Sequence, residues 1–120
     1  MLFTEIIKDN KSFLRCYRRG GYCACPYLCV YYLKNDSPFN RLGISVGKKQ
    51  GKAVVRNRIK RVFRAAYRLS ETDFPIGYDI VFMARGEGAQ ANTREVMGFI
   101  KKRVIPRMNE DAAGGRRKKK

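Results

Sequence analysis

The sequence predicts one α+β domain. Three features carry that prediction: a helical apolar stripe between Ala53 and Leu69, separate strand-like runs of aromatic and β-branched residues, and a length of 120 residues at 44% hydrophobic content. The last of these suffices for one core of moderate size and gives no reason to expect a second.

Taken in order, the chain opens with an apolar stretch, Leu2 to Ile7, interrupted by Glu5 and followed at once by Lys8 and Asp9. That is not the core of a secretory signal. Phe13, Cys16 and Tyr17 recur at i, i+3 and i+4 after a candidate cap at Asn10 or Ser12, so a short helix is expected to run to Gly20-Gly21. Tyr22 to Leu33 reads as a strand, and Arg41 to Val46 as a second, in a hairpin-like arrangement about the turn Asn35-Asp36-Ser37-Pro38. Alternation along the first would place Cys25, Tyr27, Cys29 and Tyr31 on one face and Leu28, Val30 and Tyr32 on the other. From Ala53 to Leu69, Val55, Ile59, Val62, Phe63 and Ala66 form one helical stripe, while Arg56, Lys60, Arg61, Arg64 and Arg68 spread over the opposite side. Tyr78 to Ala84 alternates like a strand. A last helix begins at Asn92 or Thr93, turns Val96, Phe99, Ile100 and Val104 inward, and stops at Pro106. Residues 1–110 are therefore expected to form the domain and residues 111–120, ending Gly114-Gly115-Arg116-Arg117-Lys118-Lys119-Lys120, a disordered basic tail.

Charge is the strongest functional signal. Lys and Arg number 27 against 10 Asp and Glu, a formal net charge of +17, which calls for a polyanionic partner. Nucleic acid and an acidic membrane surface are the two candidates. No apolar run approaches the ~18 residues of a membrane span, and the apolar stripe of the basic helix is spent on the core, so the expectation is a soluble, cytoplasmic nucleic-acid-binding protein with no membrane partner. Between Asp36 and Glu71 there is no acidic residue, while Arg41, Lys48, Lys49, Lys52, Arg56, Arg58, Lys60, Arg61, Arg64 and Arg68 all fall there. A merely solvated helix mixes signs to gain i,i+4 pairs, and five like charges on one side weaken it. Gly43-Ile44-Ser45-Val46-Gly47-Lys48-Lys49 is no phosphate loop, having three residues between its glycines and no Ser or Thr after Gly-Lys. It reads instead as a strand end delivering a basic turn to phosphates.

The four cysteines, Cys16, Cys23, Cys25 and Cys29, are expected to be free, small, apolar residues. They lack the paired spacing of a zinc ribbon, and the chain has no His. Tyr27 and Tyr31 suit either a structural role or stacking on unpaired bases. Neither a His or Cys/His arrangement nor closely spaced paired carboxylates occurs, so no catalytic residue and no metal site is expected. If the chain serves an enzyme, another component supplies the chemistry.

Lys52-Ala53-Val54-Val55-Arg56-Asn57-Arg58-Ile59-Lys60-Arg61-Val62-Phe63-Arg64 resembles the signature helix of the bacterial ribonuclease P protein family, whose hallmark is Arg-Asn-Arg followed by Lys-Arg and a further Arg. Order supports the motif, with Leu42-Gly43-Ile44-Ser45-Val46-Gly47-Lys48-Lys49 upstream and Tyr78 to Arg85 downstream. The resemblance spans about Asn10 to Met108, and Met1 to Lys8 lacks the Arg/Lys-rich opening of many members. It implies an α/β sandwich ordered helix, strands, helix, strand, helix, with a left-handed βαβ crossover where the general rule is right-handed. It further implies the protein subunit of a tRNA 5′-maturation endoribonuclease whose chemistry belongs to its RNA. In that scheme Lys48, Lys49, Lys52, Arg56, Asn57, Arg58 and Arg61 meet the ribonuclease P RNA. Phe13, Tyr17, Cys29 and Tyr31 wall a cleft for the precursor tRNA 5′ leader, with Lys60 and Arg64 at its basic edge. Tyr17 stands where phenylalanine is usual, and Cys29 where a larger β-branched residue often sits. Asn57 matches a position associated with a divalent ion, but one carboxamide makes a poor cage, and magnesium is expected to be held chiefly by RNA. The rival reading is a ribosomal or RNA-chaperone protein that uses the basic helix only to neutralise folded RNA.

Overall fold

The computed structural model describes residues 3–114 and contains a five-stranded mixed sheet covered by helices on both faces. The elements are β1 (Thr4–Ile6), α1 (Asn10–Arg19), β2 (Gly21–Cys25), β3 (Leu28–Lys34), β4 (Asn40–Ser45), α2 (Ala53–Ser70), β5 (Tyr78–Ala84), α3 (Thr93–Phe99) and α4 (Ile105–Gly114). Sheet order is β1-β4-β5-β3-β2, with β1, β4 and β5 mutually parallel and β3 antiparallel to both β5 and β2.

α2 keeps its expected stripe. Ile59, Phe63 and Ala66 are buried, joined by Tyr67, and pack with Leu28, Val30, Ile80 and Phe82 in the main core. Phe63, Tyr67 and Phe82 meet edge to face at centroid distances of 6.0–6.1 Å, the arrangement that ring quadrupoles favour. α3 begins at Asn92, whose side chain accepts from the Glu95 N–H while Glu95 reaches back to the Asn92 N–H, a complete capping box. Val96, Phe99, Ile100 and Val104 all face inward, as their spacing predicts.

Five expectations need correction. α1 is capped by Asp9, whose carboxylate accepts from the Ser12 N–H at 3.0 Å, and not by Asn10 or Ser12. The Tyr22–Leu33 run is two strands. Pro26, with no N–H for a ladder, opens a two-residue turn, and Cys25 and Tyr27 leave the face that carries Cys29 and Tyr31. Cys25 packs against the main core, and Tyr27 rests edge-on to Phe99 while its hydroxyl donates to the Glu95 carbonyl. β3 and β4 do not pair, because β5 lies between them. The turn 35–39 therefore crosses the end of β5, where the Asn40 side chain accepts from the N–H groups of Gly77 and Tyr78. β1 was not anticipated: its three residues add a strand at the sheet edge, held by Thr4 and the Phe3 N–H donating to the buried Glu71 at the end of α2. Finally, the last helix does not stop at Pro106. A π turn over Ile100–Val104, in which the Ile105 N–H reaches the Ile100 carbonyl, makes room for the proline ring, and α4 continues to Gly114. Residues 111–114 are thus helical, Asp111 accepting a bond from Tyr32, and the rest of the expected tail lies outside the described residues.

Candidate nucleic-acid interface

The basic segment is built where β4 delivers the chain into α2. A 3₁₀ turn over Lys48–Gln50 ends at Gly51, whose φ of +138° disfavours any side chain, and Lys52 enters α2 in extended conformation with no side-chain cap. Arg56 donates to the Gly51 carbonyl at 3.1 Å and Arg58 to the Ala89 carbonyl at 3.0 Å, so each ties a neighbouring loop to the helix with part of its guanidinium. Lys48, Lys49, Lys52, Asn57, Arg58, Arg61, Arg64 and Arg68 are exposed, with Arg56 and Lys60 half-buried. Among the described residues none of the Lys and Arg from Lys48 to Arg68 forms an ion pair, and the first turn of α2 holds no acid to offset the positive end of its dipole. The arrangement carries unneutralised charge at a cost in self-repulsion, and a bound polyanion relieves that cost. Arg41, counted with this run in the sequence, is not free for it. It makes a two-pronged ion pair with the buried Asp79 at 2.7 and 2.8 Å.

α1 lies across the other face of the sheet. Strand pairing puts Leu33, Asp79 and Arg41 in one row of that face, Tyr31, Val81 and Gly43 in the next, and Cys29, Met83 and Ser45 in a third. Gly43 lets the helix down onto the sheet, since a Cβ there would stand 2.6 Å from the Phe13 ring. Cys16, Val81 and Ile7 make a small core, and Phe13, Tyr17, Tyr31 and Leu33 pack around it half-buried. Tyr17 meets Tyr31 edge-on at 4.9 Å, and Phe13 and Tyr22 stand beside these rings at 6.4 and 6.0 Å. The third row is left open past the aromatic edge. There a groove of about 600 Å³ runs from Met83 and Ser45 to Lys48, Lys49 and Arg85.

Protonation keeps the Tyr31 ring neutral. Burial, and then the adjacent Cys29 thiol, push the Tyr31 phenol up to about 12. Burial likewise raises the Cys29 thiol. Tyr31 therefore offers a neutral face and an O–H donor across the physiological range. Below it, burial would raise the Asp79 carboxyl, but hydrogen bonds from Arg41 and Asn35 hold it below the ordinary carboxylate range. All four cysteines are free thiols.

Phe13, Tyr17, Cys29 and Tyr31, singled out in the sequence, come together. Lys60 and Arg64 project from α2 on the opposite face, and no hydrogen bond or ion pair among the described residues links them to those four. Lys48 and Lys49 line the open end of the groove, Lys52 precedes α2, and Arg56, Asn57, Arg58 and Arg61 follow on the helix. Sequence reasoning missed Tyr22, Met83 and Arg85. Only the placing of β5 beside β3 brings Met83 opposite Cys29. No group of three or more His, Cys, Asp or Glu side chains that could hold a metal ion occurs among the described residues.

A mixed α+β domain with an unpaired basic helix on one face of its sheet and, on the other, a cluster of half-buried aromatic rings one row away from a groove lined by Lys48, Lys49 and Arg85 belongs to the class of small, strongly basic α+β proteins. Comparison with known proteins narrows the class. The ribonuclease P family model matches residues 2–105. The ribonuclease P protein component of Clostridioides difficile is 42% identical over 102 residues, covering 84% of this chain and 90% of that protein. That of Thermoanaerobacter sp. is 37% identical over 103 residues, covering 84% and 89%. Among solved structures, the Staphylococcus aureus RNase P protein matches with a TM-score of 0.73 at 31% identity, over 88% of this chain and 94% of that one. The Thermotoga maritima RNase P protein matches with a TM-score of 0.74 at 28% identity, over 84% and 97%. The chain belongs to the ribonuclease P protein family, whose role is tRNA 5′ processing as part of the ribonuclease P ribonucleoprotein.

Proposed function

We propose that this chain joins two RNAs in a cytoplasmic ribonuclease P holoenzyme. The basic turn and α2, through Lys48, Lys49, Lys52, Arg56, Asn57, Arg58 and Arg61, bind the catalytic RNA. The α1 face, through Phe13, Tyr17, Cys29 and Tyr31, receives the single-stranded 5′ leader of precursor tRNA, and Lys60 and Arg64, on α2 behind the sheet, draw those phosphates that pass round the sheet's edge. The observation that carries the reading is the row order of the α1 face, which sets Tyr31 one row from Met83 and Ser45, and these two in a groove with the unpaired Lys48 and Lys49. Stacking on neutral rings tolerates any base, and lysines and arginines bind phosphates without reading sequence, which suits a partner whose leaders vary.

The protein's own chemistry in this scheme is binding and charge screening. It lowers phosphate repulsion between the two RNAs and holds the leader extended. The phosphodiester cleavage is assigned to the RNA, and magnesium with it, since Mg²⁺ keeps several waters and is usually held through phosphate oxygens and at most one or two carboxylates. The test is cleavage of precursor tRNA by ribonuclease P RNA at low magnesium, with and without the protein. Faster cleavage together with tighter binding of precursor than of mature tRNA is expected. A protein that only alters RNA folding, with no preference for the leader, would sink the proposal.

A further inference from the structure

The α1 face has a second charged end. Beyond Tyr31, at the opposite end of β3 from Met83 and the basic turn, a pocket of about 310 Å³ is bordered by Arg15, Arg19, Leu33, Lys34, Asp36 and the Arg41–Asp79 pair. Arg41 and Asp79 cancel each other. With the exposed Asp9 carboxylate set behind Ser12, the rest of the charged lining is three cations, Arg15, Arg19 and Lys34, against the exposed carboxylate of Asp36. None of these four forms an ion pair among the described residues.

The pocket's base is rigid. Ser12, 2% exposed, takes hydrogen bonds from Arg15 at 3.2 Å and Arg41 at 2.9 Å and donates to Asp9, while Asn35 donates to Asp79 at 3.0 Å. Arg15 is thereby held over the sheet. Leu33 supplies an apolar floor and, two residues from Tyr31 on the same face of β3, makes the pocket continuous with the aromatic wall. From Cys29 to Lys34 the strand advances about 17 Å at ~3.3 Å per residue, long enough to separate two phosphate-gripping ends by several nucleotides.

We propose that this pocket is a second phosphate subsite, which takes the upstream nucleotides of the same single strand after it passes Tyr31. The inference rests on the leader-binding reading above and adds a dependence on leader length. A short leader engages the aromatic wall alone, whereas a long one also neutralises Arg19 and Lys34.

The experiment uses the reconstituted holoenzyme and precursor tRNAs with leaders of about three and about ten nucleotides, within the footprint range of single-strand-binding grooves. Arg19 and Lys34 are exposed and make no hydrogen bond shown in the structure, so Arg19→Gln/Lys34→Gln is expected to fold, as thermal unfolding will verify. This variant is expected to bind the long-leader precursor roughly 3- to 10-fold more weakly, with a smaller change for the short leader. For two lost single-strand phosphate contacts the log–log salt slope flattens by about 1.4, so the wild-type advantage shrinks about sevenfold between 50 and 200 mM salt. Equal losses for both leaders, or none for either, overturn the subsite. Tyr31→Ala in the same assay separates the two readings. If it weakens binding of both precursors but not of mature tRNA while the double variant shows no length dependence, the cleft stands and the pocket falls. If Tyr31→Ala leaves both precursors bound as tightly as before, the leader reading falls and takes the subsite with it.

Discussion

The two faces of the sheet are built on different terms. Under α2, α3 and α4, Phe63, Tyr67, Phe82, Ile100 and Met108 are fully enclosed. On the α1 face the enclosed apolar side chains among the described residues are few and small, Ile7, Cys16, Cys29 and Val81, and aromatic side chains around them stay half open. One face carries most of the folding free energy. The other, relieved of that duty, leaves rings and charges at the surface where a ligand can use them. The contrast shows how one sheet packs a closed core on one face and leaves rings half open on the other: alternating side chains of β3 and β5 belong to different faces.

The comparison breaks most sharply at Phe82. Phe82→Ala removes a fully buried ring that touches both Phe63 and Tyr67, and is expected to cost about 3–5 kcal/mol in chemical denaturation. An equal cost for Tyr31→Ala would erase the distinction between the faces.

The ion pair under α1 comes next. Asp79→Asn leaves Arg41 without its counter-charge, and since the Arg41 side chain is 27% exposed, the cost is expected at about 2–3 kcal/mol, below the range for fully buried pairs. The pH dependence follows from the depressed carboxyl. Asp79 stabilises fully above the unfolded carboxylate value of about 3.9, and its contribution is lost as pH falls through the lower folded value. Wild-type stability should therefore fall on acidification below about pH 4, and the variant's acid slope should be shallower in urea titrations at stepped pH.

Tyr31→Ala tests the binding face itself. One base stacked on the ring is worth about 1–3 kcal/mol, so binding of leader-bearing precursor should weaken roughly 5- to 150-fold while mature tRNA hardly changes. Equal losses for the two ligands, with holoenzyme still assembled, would move Tyr31 to a purely structural role. The smallest effect belongs to a single surface charge. Arg61→Ala should lower RNA affinity slightly and flatten the log–log salt slope by about 0.7–0.9, read by titration at several salt concentrations. An unchanged slope would remove Arg61 from the contact surface.

Much of this is legible in the amino-acid sequence. The α2 stripe, the inward positions of the last helix and the acid-free basic run are local patterns, and the motif from Lys52 to Arg64 carries the family. The failures have local causes as well. Pro26 ends a ladder within what reads as one strand and so reverses Cys25 and Tyr27. Thr4–Ile6 is too short and too mixed to read as a strand, yet β4 offers it an open edge. Pro106 reads as a helix stop because a single π turn leaves no periodic trace in so short a segment.

What the sequence determined alone was the type of the longer elements and, for α2 and the last helix, which side is dry, because helical and strand periodicity and net charge are set by neighbours along the chain. Tertiary structure decided which sides meet. The insertion of β5 between β4 and β3 pairs segments far apart in the chain, Leu28 with Ala84 and Arg41 with Asp79, and no local pattern encodes it. That pairing sets Met83 beside Cys29, turns Arg41 from a surface cation into the partner of Asp79, and places the Tyr31 row next to the row whose Met83 and Ser45 line a groove with Lys48.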